Sequence, residues 1–132
     1  MLTIKDHIKY WVDSAENDLS VAETLFNSAK YDWCLFIGHL VLEKVLKALF
    51  IQRNYELAAP KIHNLLKLAQ LSKIELNDEQ QLFLETVNSF NIEGRYPEIK
   101  NEFYKTANKE FTERHFTKIK EYYFWLKSLI EL

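Results

Sequence analysis

The stretch from Trp33 to Arg53, WCLFIGHLVLEKVLKALFIQR, constrains the fold of this chain more than any other. At about 100° per residue, a helix over these positions carries apolar side chains around most of its circumference. The apolar positions form three arcs: Leu35, Leu42, Leu46 and Leu49; Phe36 and Leu40; and Ile37, Val41 and Ala48. Because such a helix is usually surrounded by other helices, we predict that it lies at the centre of the molecule.

Three charged residues, Glu43, Lys44 and Lys47, interrupt this apolar stretch. They exclude a membrane span, which needs about 20 mostly apolar residues in succession. Projected down the helix axis, they fall within roughly 100° of one another, with His39 just outside that arc. Charges on a buried helix need partners or water, so the partners of these charges become the functional question.

The composition favours an all-α protein, because two Gly and two Pro among 132 residues are too few for the turns of a β-rich fold. The length predicts a single domain over residues 1–132. The net charge of −2 provides no global field for nucleic acid. Any contact with RNA or a nucleotide therefore requires a local patch.

Cys34, the single cysteine, lies in the apolar run, which is typical of a buried thiol in a reducing compartment. The first residues contain no long apolar segment and no small-residue cleavage site, so we predict no secretory signal. A cytoplasmic protein without a membrane anchor is expected.

The apolar periodicity predicts four long helices and one short helix, closed as an up-and-down four-helix bundle of about five helices. The first predicted helix begins at Ile4 or Lys5 and ends at Ser28, and the second covers the stretch from Trp33 and ends at Arg53 or Asn54. The other three cover residues 61–71, 77–93 and 110–130. The expected caps are Thr3 with Asp6, Asp32, Pro60, Asn77 or Asp78 with Gln81, and Gly94. The segment from Arg95 to Lys109 lacks periodicity and is predicted to be an ordered loop.

The last helix carries four consecutive aromatic residues, Tyr122, Tyr123, Phe124 and Trp125. Successive helical residues lie about 100° apart, so these rings cannot all face one core. A wide apolar face on a terminal helix is typical of an oligomer interface, and we predict a homodimer.

Glu43, Lys44 and Lys47 admit two interpretations. Glu43 and Lys47 have the spacing of an intrahelical ion pair, worth about 0.3–0.5 kcal/mol. Alternatively, an amine at the edge of a groove binds a phosphate group. The spacing alone does not decide between the two.

Two histidines are further candidates. His63 either ties its connecting segment to the bundle or offers a polar group at a helix N-terminus, where anions are stabilised. His39 is a core histidine by position, and a structural role is favoured over catalysis. His39 and Glu43, four residues apart, could supply two metal ligands, but no further pair has ligand spacing, so no metal and no cofactor are predicted.

Arg95 precedes Tyr96 and Pro97 at a turn that would aim its guanidinium. A guanidinium held in this way suits recognition of phosphate. The alternative is a salt bridge to Glu43, and the two roles are compatible. The sequence contains no Ser-His-Asp or Cys-His set, no Gly-rich phosphate loop and no zinc cluster.

In their order along the chain, several short sequence motifs resemble those of the HEPN domain family, and together they span nearly the whole chain. They are Trp11; Ala15-x-x-Asp18-Leu19-x-x-Ala22; Tyr31-x-x-Cys34-x-Phe36; Glu43-Lys44-x-Leu46-Lys47-Ala48-Leu49; Pro60-x-x-His63-x-Leu65-x-x-Leu68; and Arg95-Tyr96-Pro97. The resemblance implies a dimeric helical bundle. It further implies a minimal nucleotidyltransferase partner in a toxin–antitoxin-like module, and either metal-independent ribonuclease activity or nucleotide binding.

Ribonuclease members of the family carry an arginine followed four to six residues later by a histidine. Arg53, Arg95 and Arg114 have no histidine at those distances, and His115 is adjacent to Arg114. Metal-free phosphodiester cleavage needs a general acid or base beside a group that stabilises charge, so the missing spacing argues against cleavage.

The sequence therefore predicts a non-catalytic HEPN-like dimer that binds a nucleotide, RNA or another phosphate-bearing ligand in a polar groove. Lys44, Lys47 and Arg95 would hold phosphate, and Glu43 and His63 would orient it. Tyr96 is also predicted to be a ligand-binding residue. The alternatives are a ribonuclease toxin that uses His63 or Arg114 with His115, and a purely structural helical interaction module.

Overall fold

The structure is a computed structural model that describes residues 2–132, with side chains described at all of these positions except 97–100. This part of the chain folds into six helices and no strand. The helices are α1 (Ile4–Asn27), α2 (Tyr31–Asn54), α3 (Leu65–Leu71), α4 (Asp78–Arg95), α5 (Pro97–Thr106) and α6 (Lys109–Ser128). The prediction of an all-α fold is confirmed, although six helices are present where about five were expected.

The first two helices form a hairpin whose start was predicted correctly. Thr3 and Asp6 make the expected capping box at the N-terminus of α1. The prediction that Asp32 caps α2 is wrong, because α2 begins at Tyr31 and Lys30 is its N-cap. Asp32 instead lies in the first turn of α2, where a carboxylate interacts favourably with the helix dipole.

Helix α2 lies at the centre of the molecule, as its sequence predicts. It packs against α1, α3, α4 and α6, and most of its side chains are buried, including those of His39, Glu43 and Lys47. The surrounding helices exclude water from nearly its whole circumference, so its polar side chains must find partners inside the protein.

The predicted start of the third helix was too early, whereas the predicted start of the fourth helix at Asn77 or Asp78 is confirmed. Pro60 does not open α3; the chain stays irregular until Asn64, whose side chain accepts a hydrogen bond from the Lys67 backbone. Asn77 and Gln80 form the capping box of α4, rather than Asp78 and Gln81. In both cases an Asn side chain satisfies backbone N–H groups at the helix start.

The prediction that α4 stops before Gly94 is wrong, because the helix continues to Arg95. Gly94 serves another purpose: a Cβ at this position would lie 2.6 Å from Cδ2 of Phe36. A glycine is therefore needed for the close approach of α4 to α2, and not for a left-handed cap. The two additional helical residues at the end of α4 determine where Arg95 is placed.

The prediction of a loop between Arg95 and Lys109 is also wrong. Residues 97–106 form α5, with Pro97 at the helix start, where its missing N–H is no loss. Phe103 is buried and stacks on Phe90 of α4, with ring centroids 5.6 Å apart. This tertiary contact stabilises a helix that the local pattern did not reveal. No helix of the described residues is long and apolar enough to cross a lipid bilayer.

Candidate functional site

Glu43 lies at the centre of the polar groups that the fold brings together. Its side chain is buried, and both carboxylate oxygens have a partner. Lys47 Nζ donates to Oε2 at 3.0 Å, so the predicted intrahelical pair is present. His63, from the segment between α2 and α3, places Nδ1 3.0 Å from Oε1. A carboxylate only accepts hydrogen bonds, so His63 carries a proton on Nδ1, and its Nε2 is an acceptor when the ring is neutral.

The two lysines predicted to hold phosphate both have carboxylate partners. Lys44 Nζ lies 2.7 Å from Asp18 on α1 and therefore joins the first two helices. Lys47 is buried next to Glu43 and lies over the ring of Trp11, 5.3 Å from its centroid. Both charges are compensated inside the fold, so the structure gives these lysines a role in helix packing.

Among the side chains that the structure describes, Arg95 does not form an ion pair with Glu43. The hypothesis of a salt bridge between these two residues is therefore wrong. Arg95 Nε donates to Asn91 Oδ1 at 3.0 Å, and its guanidinium lies over the Phe36 ring, 5.5 Å from the centroid. These contacts orient the guanidinium at the surface of the protein. Tyr96, the next residue, is half exposed at the end of α4.

The hydrogen bond from Arg95 to Asn91 indicates which ring nitrogen of the buried His39 carries the proton. Arginine is only a donor, so the oxygen of the Asn91 amide faces it and the Asn91 nitrogen faces His39. Asn91 Nδ2 lies 3.4 Å from His39 Nδ1, a long contact in which Nδ1 accepts. Glu43 Oε1 is 3.7 Å from the same nitrogen, beyond hydrogen-bond range. We infer that the proton of His39 lies on Nε2.

Burial lowers the pKa of His39 to about 4, and the charge of Glu43 opposes this shift only in part. The backbone carbonyl of His63 and the side chain of Asn88 also favour the protonated ring. Neither of them is in hydrogen-bond geometry with Nε2, which is buried and has no partner. At neutral pH the ring is therefore uncharged, with an unsatisfied N–H at Nε2.

His39 lines a pocket of about 190 Å³ between α2, α4 and the start of α3, which we call the amide pocket. Its lining residues are His39, His63, Asn64, Asn88, Asn91 and Ile92. Asn88 Oδ1 accepts from the Leu65 backbone at 2.8 Å, and its Nδ2 donates to Asn64 Oδ1 at 3.1 Å. The amide oxygens of the three asparagines are thus all occupied, and the remaining groups in the pocket are mainly N–H donors.

Sequence reasoning placed Glu43, His63 and Arg95 in this region but missed Asn88 and Asn91. With Arg95, these residues follow the spacing i, i+3, i+7, which places them on one face of a helix. That signal was available in the sequence, but the predicted end of α4 before Gly94 separated Arg95 from the other two. Asn64, the N-cap of α3, is not among the predicted cap residues, because the sequence predicted a start of this helix at Pro60.

Arg114 and His115 lie elsewhere, on α6 beside the N-terminal half of α4. His115 Nδ1 donates to the Phe111 carbonyl at 2.8 Å, and Arg114 lies over the Phe111 ring. Neither residue contributes to the amide pocket. Within the described residues, no three His, Cys, Asp or Glu side chains are grouped as metal ligands.

Comparisons with known proteins give a family and a fold. A family model described as HEPN domain matches residues 8–129. No curated protein gave a significant match. Among solved structures, the chain is similar to the crystal structure of TT1696 from Thermus thermophilus, with a TM-score of 0.78 and 15% identity. This similarity covers 93% of this chain and 98% of that chain, and at this identity it concerns the fold alone.

Proposed function

The chain belongs to the HEPN domain family, and on that premise we propose that it binds a nucleotide or another phosphate-bearing ligand at the rim of the amide pocket. The observation that carries the proposal is the placement of Arg95. Its guanidinium is held by Asn91, which itself lines the pocket, and by the face of Phe36. An oriented guanidinium at the edge of a donor-rich pocket suits an oxyanion.

The contacts support a division of roles that differs from the sequence prediction. Nε of Arg95 is used by Asn91, and the two terminal nitrogens carry the donors that a phosphate group would receive. His63 lies on another side of the pocket, largely exposed and fixed by Glu43. Lys47 neutralises Glu43 behind it. The formal charge that attracts the ligand is therefore that of Arg95.

Titration calorimetry with the four ribonucleoside monophosphates tests this proposal. Arg95→Ala should weaken binding at least about tenfold, the effect of losing one charge-assisted contact. Arg114→Ala is the matched control, because it removes a surface arginine from a different groove and should leave the affinity unchanged. The absence of heat for the parent protein with all four ligands would contradict the proposal.

A second candidate function is RNA cleavage, and one observation favours it. The carboxylate of Glu43 orients His63 through Nδ1 and leaves Nε2 directed away from it, the arrangement of an oriented general base. We favour binding without cleavage, because the spaced arginine and histidine motif is missing. Chelator-resistant cleavage of total RNA that disappears in His63→Ala would establish the second function instead.

We also propose that the four long helices form an up-and-down bundle that pairs with a second copy. Phe124 on α6 supports this, since 58% of it is exposed and a large exposed ring is typical of an interface. Light scattering at micromolar concentration should give the mass of a dimer, and Phe124→Asp should give a monomer. A monomer in the parent protein would contradict the proposal.

The family resemblance supports a minimal nucleotidyltransferase as partner, in a toxin–antitoxin-like module of the cytoplasm. Co-expression with the product of the neighbouring open reading frame should yield a complex that elutes together. A neighbouring gene that encodes no nucleotidyltransferase would count against this part of the proposal.

A further inference from the structure

The amide pocket contains a buried donor that the protein itself does not satisfy. His39 is completely buried, and its Nε2 has no hydrogen-bond partner. Buried polar groups are nearly always paired, and an unpaired one in a pocket needs an explanation. A ligand that places an acceptor beside Nε2 would provide the missing partner.

The other groups in the pocket define what else the ligand must offer. Asn88 and Asn91 each have an occupied oxygen and one remaining amide N–H. His63 adds an acceptor, Nε2, because Nδ1 donates to Glu43. The side chains of the pocket thus present several donors and one acceptor, and the backbone carbonyl of His63, which acts on the His39 ring, is a further acceptor.

The charge of the pocket excludes an anion from its interior. His39 is neutral there, and Glu43 lies 3.7 Å from its Nδ1. None of the described residues that line the pocket is a lysine or an arginine, and Lys47 is already paired with Glu43, so a phosphate placed against His39 would lose its hydration without gaining a counter-charge. The group that enters is therefore uncharged, and the phosphate stays outside at Arg95.

The size of the pocket limits the entering group to a small ring. Its volume of about 190 Å³ lies below the roughly 300–1,000 Å³ of pockets that enclose a drug-sized ligand. A single six-membered ring suits this space better than a whole nucleotide. The connection from Asn91 to Arg95 then places the cation just outside the ring site.

We propose that the amide pocket binds a uracil ring and that the ligand is a uridine nucleotide. The pairing edge of uracil offers two carbonyl oxygens and one N–H, which matches a pocket whose side chains offer several donors and one acceptor. Cytosine replaces one of these oxygens with an amino group, and adenine presents an amino group and no carbonyl. This inference rests on the proposed function, because Arg95 must hold the phosphate.

Calorimetry with uridine, cytidine and adenosine monophosphates tests the inference. Uridine monophosphate should bind at least about tenfold more tightly than the other two, the effect of one hydrogen bond left unpaired in the pocket. Inorganic phosphate serves as the comparison for the rim alone and should bind more weakly than all three.

Two variants of His39 distinguish the hydrogen bond that its Nε2 donates from the space that its side chain fills. His39→Leu removes Nε2 and should reduce the preference for uridine monophosphate to less than about twofold, with the affinity for adenosine monophosphate retained. His39→Gln keeps an N–H near the position of Nε2 and should retain the preference. Thermal melts of both variants verify that they are folded, and Asn91→Leu provides a second removal of a pocket donor.

The outcomes distinguish the inference from the function on which it rests. Equal binding of the three nucleotides would overturn the uracil assignment and leave phosphate binding at Arg95 in place. No binding of any nucleotide would overturn both. A preference for uridine monophosphate that survives in both His39→Leu and Asn91→Leu would also overturn the assignment of the pocket.

Discussion

The polar groups on the two sides of α2 differ in whether they have a partner within the protein. On the side of α1, Lys44 is matched by Asp18, and the contact is closed within the protein. On the side of α4, His39 keeps an unsatisfied Nε2, and Arg95 is an exposed residue. The comparison suggests that polar groups on the first side maintain the packing, whereas those on the second are available to a ligand.

Glu43 lies between the two sides of α2, and its substitution should cause the largest loss of stability. Glu43→Gln leaves the buried ammonium of Lys47 without a counter-ion, so we expect a loss of about 3–5 kcal/mol in the free energy of unfolding. Urea denaturation measures this loss, with the exposed Glu85→Gln as control. A loss below about 1 kcal/mol would mean that the protein does not depend on the pair.

The next largest effect concerns pH and the α4 side. The pKa of His39 falls from its usual 6.5 to about 4 in the folded protein, so the unfolded chain takes up the proton first as the pH decreases. Stability should therefore decrease between about pH 6.5 and pH 4, by roughly 3 kcal/mol from this group alone. Below about pH 4 both states are protonated and this contribution stops changing.

Denaturation curves of the parent protein and His39→Leu, measured across that range, isolate the contribution of His39. The variant should lose most of the part of the slope that His39 contributes, because it lacks only this titratable group. Identical slopes would show that the pKa of His39 is the same in the folded and unfolded protein, which contradicts the lowering of this pKa by burial.

Gly94→Ala should have an intermediate effect. A Cβ would lie 2.6 Å from Phe36 Cδ2, and overpacking of this kind costs about 1–3 kcal/mol. Because the Phe36 ring also supports Arg95, the variant should weaken nucleotide binding as well. A variant with unchanged stability and affinity would show that Phe36 can move without disturbing the site.

The smallest effects provide the most direct test of the comparison. Lys44→Met should lower the free energy of unfolding by about 1 kcal/mol, the upper end for a partly exposed ion pair, and leave nucleotide affinity unchanged. Arg95→Met should change stability by no more than about 0.5 kcal/mol and weaken nucleotide binding at least about tenfold, as expected for Arg95→Ala. The reverse pattern would assign the ligand to the α1 side.

Several features could be predicted from the sequence because helix geometry encodes them locally. The capping box of Thr3 and Asp6 and the pair of Glu43 and Lys47 join residues three or four apart. Any helix over these positions brings such residues together. The apolar circumference of 33–53 likewise required surrounding helices, whichever helices they were.

The tertiary structure decided which distant residues complete the site. Lys44 Nζ also donates to Ser14 Oγ on α1 at 2.8 Å, across 30 residues of sequence. Glu43 and His63 are 20 residues apart, and His39 and Asn91 are 52 apart. The sequence could suggest that such groups need partners, but only the packing of α4 and the segment before α3 against α2 selects them. Helix α5 shows the same dependence, because the contact between Phe90 and Phe103 exists only once the chain has folded.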